Sequence, residues 1–183
     1  MPSFLYVGRL LYWKGLHLAL RALAEVRRTA PLVRLTIIGD GPDRAWLESV
    51  AEDAGVMDMV DWHAAKPHVE VSLQFRENLA LLFPSLHDSG GMVVLEALAA
   101  GVPVVSLDLG GPGAILTEAC GILVKAQQTS EALVVASLAQ AIILLASDAS
   151  LRARLSANAI LRARQMTWDN AASALYGPWI APE

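Results

Sequence analysis

Two carboxylates flank a glycine pair in the stretch HDSGGMVVLEALAAGVPVV, residues 87–105. Asp88 and Glu96 stand with seven residues between them, and Gly90-Gly91 lies in the gap. Such a pair could exchange protons as general acid and base, as in sugar hydrolysis. It could instead hold two parts of one ligand. An acid in the first turns of a helix can accept hydrogen bonds from vicinal hydroxyls, while an acid ahead of the glycines reaches others. The simplest structural alternatives are a capping-region acid at Asp88 and a helix acid at Glu96. From the residues alone both readings stay open.

A second cluster is cationic. Arg9 directly follows the apolar stretch FLYVG, and Lys14 comes five residues later, just before Gly15. A guanidinium can grip phosphate through two parallel hydrogen bonds, and an ammonium acts as a movable point charge. Beside a helix N-terminus the two would form an anion cradle; otherwise they are surface cations in a loop. The sequence has no Asp-x-Asp pair and no His/Cys set with zinc spacing. His17, His63, His68 and His87 are scattered and read as structural or surface residues. No metal and no cofactor is therefore expected, and a leaving diphosphate would rely on protein cations and backbone amides.

Other phosphate and hydrolase signatures are weak or missing. Gly39-Asp40-Gly41 follows a strand-like run but lacks the third glycine of a dinucleotide fingerprint. There is no Gly-x-Ser-x-Gly elbow and no Walker A lysine.

These groups need a scaffold, and the patterning supplies one. Strand-length apolar runs (Phe4–Gly8, Arg34–Gly41, Val60–His63, Leu79–Ser85, Val102–Asp108, Gly121–Val124) alternate with stretches of helical period. Leu16, Leu20, Leu23 and Val26 mark a helix over 16–29, Pro42–Gly55 a second and Val69–Phe75 a short third. A fourth runs through EALAA to Gly101, Gly110–Gly113 reads as a loop, and Ser130–Tyr176 is helical. Repeated β-α units with strands apolar on both faces predict an α/β fold, a doubly wound parallel sheet with right-handed crossovers. Ligands of such sheets lie beyond the carboxyl ends of the strands. Gly8-Arg9, Gly39–Gly41, His63, Ser85–Gly91 and Gly110-Gly111 all fall on that edge.

Composition bounds the rest. The 183 residues suit one domain, with about 3–125 as α/β core and 130–176 as C-terminal helices. Hydrophobic residues make up 55% and charged ones 17%, an apolar balance that suggests a face meant to be covered. The net charge of −4 with no basic block argues against nucleic acid. The single cysteine, Cys120, excludes an internal disulfide and fits a small buried residue in a reducing compartment. FLYV follows Met1-Pro2-Ser3 directly, and the longest charge-free apolar run, between Glu131 and Asp148, is shorter than the roughly 20 residues of a membrane span. A soluble, cytoplasmic protein is expected. LRAR occurs at Leu151–Arg154 and Leu161–Arg164, which reads as a solvated helix face or as a weak peripheral contact with anionic lipid.

In order along the chain, FLYVGRLLYWKG, LTIIGDGPDRAWLESVAEDAGVMDMVDWHA, LLFPSLHDSGGMVVLEALAAGVPVV, LGGPG and CGILV closely resemble the C-terminal half of retaining glycosyltransferases of the GT-B fold, the family-four group. The likeness runs over residues 3–176. It implies a Rossmann-like domain that binds a nucleoside-diphosphate sugar. By matching position, Arg9 and Lys14 would neutralise the diphosphate, Glu96 would hold the ribose hydroxyls and Asp88 would lie near the donor sugar. Arg9, Lys14 and Asp88 form the expected catalytic set. Backbone amides of Gly90, Gly91, Met92 and Val93 would meet phosphate and sugar, with Gly8 beside them and His63, Ala64 and Lys66 lining the base. Asp88 is one methylene shorter than the family's glutamate, and Gly90 replaces a common aromatic. Ala64 replaces a frequent glycine and Ala114 a frequent glutamate. The resemblance also implies an absent acceptor-binding N-terminal domain as partner. The alternatives are a non-enzymatic nucleotide-binding module, a sugar-nucleotide epimerase of the same fold, and a less favoured Rossmann oxidoreductase.

Overall fold

Six short strands, β1 (Ser3–Val7), β2 (Arg34–Ile38), β3 (Val60–His63), β4 (Ala80–Phe83), β5 (Val104–Leu107) and β6 (Gly121–Val124), form the centre of the computed structural model, which describes residues 1–176. Residues 177–183, included in the single-domain expectation, lie outside the described residues. All strands are parallel, in the order β3-β2-β1-β4-β5-β6. Every residue of β4 and β5 is buried, the pattern of a sheet covered on both faces. The strand order reverses between β1 and β4, so the crevice beyond their carboxyl ends is where a doubly wound sheet accepts its ligand.

The helices are α1 (Leu16–Arg27), α2 (Arg44–Asp53), α3 (His68–Glu77), α4 (Met92–Ala99), α5 (Gly110–Ile115), α6 (Glu131–Ser147), α7 (Ala149–Gln165) and α8 (Trp168–Tyr176). α1 packs against α2 and α6, while α4 packs against α5 and α7. Eight of the twelve α1 residues are buried, small Ala19 and Ala22 among the leucines.

One expectation needs correction. Gly110–Gly113 is the first part of helix α5, not a loop. Proline is tolerated in a helix's first turn, where its missing N–H has no partner to lose, so Pro112 does not break it. The C-terminal helices expected over 130–176 are three, and α6 and α7 meet at 100°. Asp148 makes that corner: its backbone N–H ends α6 on Leu144 O, and its carboxylate accepts the Leu151 N–H at 2.8 Å to start α7.

The paired LRAR segments divide inward and outward. Arg152 donates to Leu145 O at 2.6 Å and Arg162 to Ile115 O at 2.7 Å, each satisfying carbonyls at a helix end. Arg154 and Arg164 are exposed. No single helix among the described residues is long and apolar enough to cross a membrane. Cys120 is fully buried against Thr117.

Candidate functional site

At the end of β1 the chain enters a short 3-10 turn, Tyr12–Lys14, closed by Gly15 with φ +68°. The Trp13 carbonyl at the turn accepts the N–H groups of Leu86 (2.9 Å) and His87 (3.2 Å) and the Ser85 hydroxyl (3.3 Å). The loops leaving β1 and β4 are thereby locked together, and this sets the position of Lys14.

Lys14 Nζ lies 2.5 Å from Asp88 Oδ2, with only 19% and 15% of the two side chains exposed. The ammonium also sits 5.6 Å from the centre of the Phe83 ring. The other Asp88 oxygen, Oδ1, accepts the N–H groups of Gly90 (3.1 Å) and Gly91 (2.7 Å). Gly91 is the N-cap of α4, so these amides belong to the electropositive end of that helix. Burial alone would raise the Asp88 carboxyl. The Lys14 hydrogen bond and charge and the Gly91 and Gly90 amides outweigh it, holding it below the ordinary aspartate range. Gly111 N donates to the Asp88 carbonyl at 2.7 Å, fixing the loop from the α5 side.

Arg9 takes a different place. Its guanidinium is exposed and makes no ion pair among the described residues. Its backbone carbonyl accepts the buried Tyr6 hydroxyl at 3.1 Å, and burial followed by the nearby Asp88 charge raises that phenol. Arg9 lines a cavity of about 180 Å³ with Val7, Gly8, Gly39, Asp40, Ala65 and Lys66. His63 and Ala64 are exposed at the exit of β3 beside it. The Asp40 carboxylate orders this wall by accepting the Ala65 N–H at 2.7 Å.

Glu96 stands on α4 facing α3, 3.5 Å from His68 Nε2 and half-buried. It lines a groove of about 420 Å³ with His68, Ser72, Leu73, Phe75 and Arg76. Met92 is exposed on the first turn of α4, while Val93 is partly buried. A larger apolar cavity, about 590 Å³, opens beside Gly90 and Met92 between α4, α5 and the start of α8, with Leu95, Ile115 and Trp168 in its walls.

The structure thus brings Lys14, Asp88, Gly90 and Gly91 into one cluster. Gly8, Arg9 and Lys66 line a neighbouring wall, and Glu96 faces a groove of its own. The amides of Gly90 and Gly91 were expected to face a ligand; here they hold the Asp88 carboxylate. Two roles escaped the sequence reading, although the Gly39–Gly41 turn itself was placed on the ligand edge. Asp40 orders the loop after β3, and Asp43 Oδ2 accepts the Tyr12 N–H at 2.6 Å, anchoring the turn that carries Lys14. The Gly-Asp-Gly turn at 39–41 was the available signal for the first. Among the described residues no group of three His, Cys, Asp or Glu is arranged to hold a metal ion.

The sheet order, the switch point and the cation-and-amide cluster on its carboxyl edge define a Rossmann-like α/β domain with a candidate anion site. The chain belongs to the glycosyl transferases group 1 family, which matches residues 2–162. It is similar to a D-inositol 3-phosphate glycosyltransferase of Stackebrandtia nassauensis, at 31% identity over 184 residues, covering 95% of this chain and 40% of that protein. It is also similar to a glycogen synthase of Mycobacterium tuberculosis, at 40% identity over 111 residues, covering 61% of this chain and 27% of that one. The chain therefore spans less than half the length of these relatives. Among solved structures, the C-terminal domain of LpcC, a group 1 family protein from Francisella tularensis, aligns with a TM-score of 0.77 at 21% identity, covering 90% of this chain and 85% of that one. Anabaena HepE in complex with UDP and glucose aligns at 0.80 and 20% identity, over 97% of this chain and 47% of that chain. The fold is that of one half of a GT-B glycosyltransferase.

Proposed function

We propose that this chain is the donor-binding half of a retaining, metal-independent glycosyltransferase that takes its sugar from a nucleoside diphosphate. The observation that carries this reading is the convergence of Lys14 Nζ and two α4 N-terminal amides on one carboxylate at the switch point. Donors that hold a carboxylate there suit a phosphate equally well. The solved HepE complex contains UDP and glucose, which supports a nucleotide sugar as ligand.

In this reading Arg9 and Lys14 stabilise the charge that grows on the diphosphate as its bond to the sugar's anomeric carbon breaks. The acceptor oxygen bonds to that carbon on the same face, and the departing diphosphate takes the acceptor proton. Asp88 holds sugar hydroxyls and Glu96 the ribose hydroxyls. The loop from His63 through Ala64 to Lys66 faces the base, with Gly8 at the floor and Met92 and Val93 at the start of α4. No cofactor enters. The acceptor comes from a second domain, the reaction is cytoplasmic, and any membrane contact is peripheral through Arg154 and Arg164.

The test is a thermal-shift panel of nucleoside diphosphates and their sugars, since a ligand that binds only the folded chain raises its melting temperature. The isolated chain should bind nucleotide and transfer little or no sugar. Transfer equal to that of a two-domain enzyme with no partner present would sink the half-enzyme assignment. A binding module would give no turnover even when joined to an acceptor domain, and an epimerase would convert donor with no acceptor.

A further inference from the structure

The carboxylate of Asp88 takes up, at once, the three donors that a diphosphate oxygen would need: Lys14 Nζ at 2.5 Å, Gly91 N at 2.7 Å and Gly90 N at 3.1 Å. Its side chain is short enough to fold back onto the amides two and three residues ahead while still meeting the lysine. The two oxygens divide the work, Oδ1 on the helix N-terminus and Oδ2 on the ammonium. Among the described residues Lys14 has no other carboxylate partner. A phosphate can reach this cradle only where the carboxylate yields it.

We propose that Asp88 is a built-in competitor of the diphosphate: the side chain and the bound anion exchange places on Lys14 and the Gly90 and Gly91 amides. The proposal rests on the donor-site reading above. When a sugar-bearing donor enters, the displaced carboxylate is next to the sugar and can accept its hydroxyls. When only the nucleoside diphosphate is left, the carboxylate has no hydroxyl to hold and returns to the cradle. The aspartate therefore discriminates against the spent product, and it does so by competing for donors that both anions need.

The exchange is tested by calorimetry with inorganic pyrophosphate and UDP on the wild-type chain, Asp88→Asn, Lys14→Ala and the double variant. Asparagine keeps the shape and can still accept the glycine amides but surrenders the lysine. Losing a charged hydrogen bond to a competitor should tighten both ligands about tenfold in Asp88→Asn. In the Lys14→Ala background the same change should bring under about threefold, since the contested cation is gone. An equal gain in both backgrounds means simple charge repulsion and overturns the proposal, as does no gain in either. If neither ligand binds any of the four chains, the anion-site reading itself fails and takes this one with it. Urea unfolding of the four chains, each showing a cooperative transition, establishes that a missing gain is not a folding defect.

Discussion

Gly15 and the Pro84 carbonyl meet with no room for a side chain: a Cβ on Gly15 would lie 1.8 Å from that oxygen. Gly15 also has φ +68°, a left-handed conformation that other residues adopt only at a cost. The contact sets the distance between the β1 turn and the exit of β4, and so between Lys14 and Asp88.

Gly15→Ala should lower stability by about 3 kcal/mol, the sum of left-handed strain and overpacking. It should also weaken nucleoside diphosphate binding, because the turn carrying Lys14 must move. Urea unfolding and calorimetry on the same sample check both. Unchanged stability would mean that the two backbones can part freely.

Arg9→Ala and Lys14→Ala should each weaken nucleoside diphosphate binding by about 1–3 kcal/mol, the worth of a charge-assisted hydrogen bond. Their stability effects should differ. Arg9 is exposed and unpaired among the described residues, so its removal leaves the melting temperature alone. Loss of Lys14 strips Asp88 of its ammonium and lowers it. Unchanged calorimetric affinity in both variants would remove the cations from the site.

Glu96→Gln should weaken ligands that contain ribose and leave inorganic pyrophosphate unaffected, because Glu96 lies on the α3 side, with His68, apart from the Lys14 cluster. An equal loss for pyrophosphate would place Glu96 with the phosphates.

His17 gives a pH prediction. Burial, and next the Arg21 charge, lowers its imidazole from 6.5 to about 4. The folded pKa is depressed, so the unfolded chain protonates first as pH falls. Stability is complete above 6.5 and drains away down to about 4, on the order of 2–3 kcal/mol in all. The ring stacks on Tyr12 at 4.9 Å, and its buried Nδ1 has no hydrogen-bond partner among the described residues. His17→Phe should keep the stacking and remove that part of the pH dependence. Urea midpoints at pH 7 and 4.5 that fall equally in both chains would refute it.

The sheet, and the place of Lys14, Asp88 and the glycines on its carboxyl edge, were legible because their signals are local. Runs such as LALLFP and VVSL are apolar on both faces, and Lys14, Asp88 and the glycines sit within a few residues of a strand end. What was hidden is non-local. Asp43 and Asp40 meet backbone amides 31 and 25 residues away, with no side-chain pattern to announce them. The Lys14–Asp88 pair joins residues 74 apart. The glycines that made 110–113 read as a loop are the ones that let α5 start against the β4 loop, where only backbone fits.

That last contact reaches beyond this chain. A Cβ on Gly110 would lie 2.4 Å from the Asp88 carbonyl oxygen, and one on Gly111 would lie 2.6 Å from that of Ser89. Two segments more than twenty residues apart are therefore fitted to each other through main chain alone. Anyone exchanging the Asp88 loop with that of another family member must carry both segments across as one cassette. A graft of either alone would inherit a mismatch that no side-chain redesign can relieve.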